Sequence, residues 1–349
     1  MKPDESINLG RVQLKNNNDD SLIEWVNILK GLGILSIVIG HVSTGILEKV
    51  LFLFNVPLFF FVSGYLFKVH ESISKYLRKK TISLLLPYLS FLIIFTLAEI
   101  IKILLRNQDE KDLIWAIINA FIGGRALTGW MGVFWFITCL YFVQQIFRIL
   151  ISKYSTQITA FITVIFFGLS FFNSVMVPDL WLPWNINVVL AALPIYFIGY
   201  QFRVGLNKYF AYAALLIGTL TIAAIWYDIN LTYNMKYSKY GVPVITFICS
   251  ISFVIILMEV SKILMEYPRI AAPFKKLGIA SMAIMYLHQP IQLSLLSITG
   301  ENVKYVVIII TILCSYTLYL LMKHFAISRA FMLGSVKDYE ALKANIIHH

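Results

Sequence analysis

Ten stretches of about 20 mainly apolar residues run the length of the chain, each long enough to cross the hydrocarbon core of a bilayer as a helix. They fall at roughly 22–44, 50–67, 81–105, 132–150, 157–176, 186–203, 209–228, 241–263, 277–299 and 305–327. Short polar segments separate them. The pattern predicts an all-α, polytopic integral membrane protein of about ten transmembrane helices, its even number leaving both termini on one side. Residues 1–21 read as a mobile polar tail without the apolar core and small-residue cleavage site of a signal peptide. Residues 22–327 read as one transmembrane domain, and 328–349 as a second polar tail.

Basic residues orient the array. With the amino terminus inside, 20 lysines and arginines fall in inner segments and seven in outer ones, so both tails are expected to be cytoplasmic. The longest outer segment, 106–131, contains an apolar run, Leu113 to Ile122, too short to span; it predicts an interfacial or re-entrant helix ended by Gly123 and Gly124 and able to cover an outer vestibule. The segment Pro178 to Trp184 carries two prolines and two tryptophans, suited to interface anchoring or to stacking on a sugar.

Composition removes the soluble alternatives. Of 349 residues 59% are hydrophobic and 13% charged, and the mean hydropathy is +0.78, against roughly 25% charged residues in a soluble domain. The net charge of +11 is accounted for by positively charged inner loops, so nucleic acid is not an expected partner. Cys139, Cys249 and Cys314 lie scattered in apolar stretches with no metal-ligand or disulfide spacing, and no metal site is expected.

Ionisable groups inside spans are costly and mark function. Lys30, His41, Glu99, Lys102, Glu259 and His288 are such groups. Lys30 and His41 share one helix eleven residues apart, hence about 20° apart around it and about 16 Å along it. They can line one passage, Lys30 inward and His41 outward; alternatively Lys30 snorkels to the surface and His41 sits at the interface. Glu99, at a depth near that of His41, can orient an imidazole or pair with Lys102 one turn on. Glu259 reads as interfacial. His288, followed by Pro290, which is expected to bend its helix, either lines a pathway or packs against a neighbour. Ser63 and Gly64 offer a nucleophile or, more simply, a small pair permitting close helix packing.

The run Glu24-Trp-Val-Asn-Ile-Leu-Lys30-Gly-Leu-Gly-Ile-Leu-Ser-Ile-Val-Ile-Gly-His41 resembles the opening of the acyltransferase family 3 membrane proteins, with Arg or Lys, ten residues, then His. Asn55-Val-Pro-Leu-Phe-Phe-Phe-Val-Ser-Gly-Tyr-Leu-Phe67 and Arg78-Lys-Lys-Thr-Ile-Ser-Leu-Leu-Leu-Pro-Tyr88 resemble the family's second span and the start of its third. Phe134 to Tyr141, Leu193 to Tyr200 and Met285-Tyr-Leu-His288-Gln-Pro resemble later blocks, most closely those of the fucose 4-O-acetylase branch. Two positions depart from that branch: Asn55 stands where it usually has His, and Asn187 where it often has an acidic residue. Asn55 can hydrogen-bond a substrate but cannot act as a base.

The resemblance implies an acyltransferase of the bacterial inner membrane that moves an acyl group, most often acetyl from acetyl-CoA, to a hydroxyl of a cell-surface glycan or its lipid-linked precursor. No permanently bound cofactor is implied. His41 suits the general base or an acyl relay, and Glu99 its orienting carboxylate. Acyl-CoA phosphates are expected on the cytoplasmic side, at Lys30 or at Arg78, Lys79 and Lys80, although those three also serve to orient the protein. Asn55, Trp135 and His288 are candidates to contact substrate, Trp135 alternatively by packing alone. The rival reading is a glycan or lipid-linked sugar transporter without chemistry. Such a transporter is expected to show repeated halves, and no repeat is visible.

Overall fold

In the computed structural model residues 24–69, 72–107, 109–203, 205, 207–300 and 303–347 are described; the amino-terminal tail of 1–21 lies outside them. Among the described residues the regular elements are all helices, apart from one isolated β-bridge between Asn234 and Lys239. In order come α1 (24–40), α2 (Ile46–Tyr65), α3 (Ile73–Lys80), α4 (Leu86–Leu105), α5 (Glu110–Ile122), α6 (Trp135–Lys153), α7 (Thr156–Met176) and α8 (Val189–Phe202). They are followed by α9 (Lys208–Trp226), α10 (Ile245–Met265), α11 (Pro268–Ile279), α12 (Ser281–Thr299), α13 (Lys304–His324), α14 (Ala326–Phe331) and α15 (Val336–Ile347).

Among the described residues eight helices are long and apolar enough to cross a membrane, and nine if α11 and α12 make one broken span. Helix α1, with 17 described residues, coincides with the first predicted span. The chain bends by 78° between α11 and α12, at Ala280, whereas α12 continues through Pro290. The expected bend at that proline is therefore displaced to the junction ten residues earlier. A one-turn π-helix, Thr81–Leu85, joins α3 to α4, so Arg78, Lys79 and Lys80 lie in the last turn of a helix and not in an open loop. Ser72 caps α3 by accepting the Lys75 amide at 3.4 Å. The carboxy-terminal segment is also helical, with Arg329 fixing α14 to α15 through both oxygens of Asp338 at 2.7 and 3.1 Å. That contact holds the Asp338 carboxyl down at about 2.

Burial separates two layers. In Gly129–Lys153 and Pro183–Phe202, 61% of the apolar window is covered by protein; in Ile73–Leu105, Lys208–Trp226 and Lys304–His324 it is 22%. Thus α6 and α8, with α2 and α10, form the inner bundle, and α4, α9 and α13 turn most of their surface toward lipid. Helices cannot be driven together by hydrophobicity inside lipid, so small residues that allow close approach matter. A Cβ on Gly64 of α2 would collide with the Tyr196 carbonyl of α8, and one on Gly199 of α8 with the Phe61 carbonyl of α2. This reciprocal fit accounts for Gly64 as a packing residue. It fixes α2, and Asn55 upon it, in the inner bundle.

Candidate active site

Two adjoining cavities hold most of the polar side chains singled out by the sequence. The larger, about 850 Å³, runs along α1 between α2, α6 and α12; Lys30 and Ser63 line it, as do His41, Asn55, Trp135 and Gln289. Residues 24–40 are helical and His41 opens the turn that follows, its amide still bonded to the Ile37 carbonyl at 3.2 Å. The helical rotation therefore carries through, and Lys30 and His41 face the same cavity. Lys30 is half-buried and donates to Asn27 Oδ1 at 3.5 Å, a long and weak bond for an ammonium.

His41 is open to the cavity. Its ring meets Phe52 edge-on at 5.3 Å and lies 5.3 Å from the ring of His288, tilted by 31°. His288 is fully buried, with Nδ1 at 3.0 Å from the Ile284 carbonyl. A carbonyl can only accept, so Nδ1 carries the proton and Nε2 holds a free lone pair. Among the described residues that Nε2 has no partner. Helix α12 is held to α1 nearby by Gln292, whose amide donates to the Val38 carbonyl at 2.7 Å.

Asn55 is 1% exposed. Its Oδ1 accepts the Val56 amide at 2.7 Å, while Nδ2 has no partner among the described residues and faces the cavity beside Gly40, where a Cβ would stand 3.7 Å away. Gln289 likewise leaves Oε1 unpaired on the cavity wall. Unpaired buried amides cost free energy unless a ligand or water satisfies them. Trp135 lines the same wall and is 6% exposed.

Lys236 completes the His41 end, and its sequence context did not distinguish it from a topogenic charge. It comes from the connection between α9 and α10, lines the cavity, donates to the Leu127 carbonyl at 2.6 Å and lies within electrostatic reach of His41. Burial brings its ammonium down to about 8. A brace of amides holds this connection: Asn185 Nδ2 donates to the Lys236 carbonyl at 3.0 Å, and Asn187 Nδ2 to Ser238 Oγ at 2.9 Å and Asn173 Oδ1 at 3.1 Å. Asn185 and Trp184 both adopt left-handed backbone, φ 56° and 57°. Trp184, in the segment suited to anchoring or sugar stacking, donates its indole N–H to the Phe121 carbonyl at 3.0 Å. Asn187, at the position of an expected acid, thus has a bracing role here.

Glu99 does not line this cavity. It faces the smaller one, about 680 Å³, with Lys102, Arg106, Asp112, Trp115, Asn119 and Trp130, and both its oxygens take the Lys102 ammonium, at 3.1 and 3.2 Å. His288 and Lys236, not Glu99, are the ionisable groups near the His41 ring. Arg78, Lys79 and Lys80 line neither cavity; Arg78 pairs with Glu340 of α15 at 2.7 Å, and Lys80 lies over the Tyr76 ring. Glu259 pairs with Lys262 at 2.7 Å on the same helix, in keeping with an interfacial position.

A family profile described as an acyltransferase domain matches residues 23–326. No curated protein and no solved structure matches the chain.

Proposed function

The chain belongs to this acyltransferase family, and on that premise we propose that it is a membrane O-acetyltransferase carrying acetyl from acetyl-CoA to a hydroxyl of a cell-surface polysaccharide or its lipid-linked precursor. Its place in this reading is the bacterial inner membrane, donor on the cytoplasmic side. The observation that carries it is one cavity with a cation at one end and an open imidazole at the other. A pantetheine arm has about the backbone length of four or five residues and so extends on the order of 15 Å. The rise of eleven helical residues between Lys30 and His41 is about 16 Å. Donor phosphates at Lys30 therefore put the thioester near His41, and the mostly apolar walls between, Ile34, Ile37, Val56 and Val133 among them, suit the arm.

Chemistry follows from the side chains at that end. His41 takes the proton of the acceptor hydroxyl as its oxygen attacks the thioester carbonyl; the tetrahedral intermediate then collapses, breaking the C–S bond. The proton returns to the departing CoA thiolate, leaving ester and thiol. The Asn55 amide and the Lys236 ammonium are the donors available to the oxyanion. The free lone pair of His288 Nε2 can accept from His41 and hold it in the tautomer that exposes a basic nitrogen.

The test is transfer of labelled acetyl from acetyl-CoA to candidate glycans by purified protein. His41→Ala should lower turnover ~10²- to 10⁴-fold, as general-base loss does, while the protein still inserts in the membrane. Transfer at the wild-type rate by that variant would remove His41 from the chemistry, and glycan movement without acetyl consumption would favour a transporter.

A further inference from the structure

The smaller cavity has a different character from the larger. It adjoins it, since Thr128, Gly129 and Leu293 line both, so a group seated in one can reach into the other. Its walls come from α4, α5, the 126–131 connection and α12. Two indoles, Trp115 and Trp130, stand among hydroxyls and an amide: Thr96, Asn119, Ser294 and Ser297. The Lys102 ammonium lies 5.8 Å from the Trp130 ring centre and joins it to Glu99. Lys102 and Arg106 are balanced there by Glu99 and Asp112, so the lining carries no net charge.

Flat aromatic faces, paired acceptors and donors, and charge balance are the requirements of one ligand class. A sugar ring presents C–H bonds on a face, which pack on an indole, and hydroxyls at its rim, each of which donates and accepts. A volume of about 680 Å³ lies within the ~300–1,000 Å³ range of small-molecule sites. A phosphorylated or acidic sugar would need surplus cations, and the lining supplies none. Glu99 keeps lone pairs beyond those Lys102 uses, so the ion pair serves as a fixed acceptor and donor for neighbouring hydroxyls.

We propose that this second cavity is the acceptor subsite, holding an uncharged sugar ring and presenting one of its hydroxyls past Thr128 and Leu293 to His41. The assignment rests on the transferase reading above and gives Glu99, predicted as the partner of the catalytic histidine, a task in acceptor recognition. Helix α5, with no buried residue, then serves as the wall of a binding site through Asp112, Trp115 and Asn119.

The experiment uses the full chain in detergent with Cys314 changed to Ser, since Cys139 and Cys249 are buried. Ser294→Cys places a thiol in the cavity wall, and its rate of modification by a small methanethiosulfonate is measured with methyl glycosides of neutral hexoses, deoxyhexoses and N-acetylhexosamines present in turn. At least one neutral glycoside should slow modification, a sugar phosphate should not, and Trp130→Ala should weaken protection by roughly tenfold, about the worth of an aromatic contact. Asn119→Ala, on an exposed helix, is the second variant and should weaken protection without affecting acetyl-CoA binding. No protection by any neutral glycoside, or better protection by the phosphate, overturns the assignment. Protection without acetyl transfer would remove the transferase reading and leave the sugar site; transfer without protection would do the reverse.

Discussion

Replacing Lys30 by methionine separates donor binding from chemistry. The methionine keeps the apolar stem in the half-buried site and removes the charge. In the structure the ammonium has one long hydrogen bond, 3.5 Å to Asn27, so little protein structure depends on it and most of its interaction is available to a ligand. A donor phosphate at about 4 Å would gain ~4 kcal/mol from one unit charge at an effective dielectric constant near 20. Desolvation takes back part of that, leaving the ~1.5–3 kcal/mol usual for hydrogen bonds to charged groups. At 1.4 kcal/mol per factor of ten the dissociation constant for acetyl-CoA should rise roughly 10- to 150-fold in Lys30→Met. Lys30→Arg should stay within a few-fold of wild type. His41→Ala should bind acetyl-CoA almost normally, because its ring is about 16 Å away by helix rise. Equilibrium binding of labelled acetyl-CoA to protein in detergent reads all three. Unchanged affinity in Lys30→Met, or a loss as large in His41→Ala, would refute the placement of phosphates at Lys30.

The buried Lys236 ammonium, brought down to about 8, should impose an alkaline limb near that pH on turnover; Lys236→Arg, charged at every accessible pH, should abolish the limb, and a pH–rate profile in which it persists would free Lys236 of that role. Stability runs the other way: the unfolded lysine, at its ordinary 10.5, holds more protons than the folded one between 8 and 10.5, so this group makes folding more favourable as pH rises through that window. Gly64→Val should lower the thermal midpoint in detergent, since overpacking at a helix contact costs about 1–3 kcal/mol, whereas an unchanged midpoint would mean α2 and α8 can separate without cost.

Local periodicity carried much of the protein. The length of each apolar stretch determined where helices form, because backbone hydrogen bonds must close within a segment that meets lipid. The eleven-residue spacing of Lys30 and His41 determined that they share a face, because one helix suffices to relate them. The short apolar run at 113–122 likewise declared itself as a helix too short to span, which α5 is. What one helix presents to another lay beyond that reach. Glu99 was legible as a partner for either His41 or Lys102; the packing of α4 turned it to the second cavity and left Lys102 as its partner. The approach of His288 to His41 depends on the register of α12 against α1, set by the Gln292 contact to Val38 and by the 78° bend before α12, where the sequence has Gly278 and Ala280 but no proline. Lys236 reaches the cavity through a connection braced by Asn173 of α7 and by Asn185 and Asn187 of the segment before α8, residues far from it in the chain. Sequence patterns report the face a residue occupies on its own helix, whereas side-chain shape and hydrogen bonding between elements distant in the chain decide which faces meet, and only the tertiary structure contains those contacts.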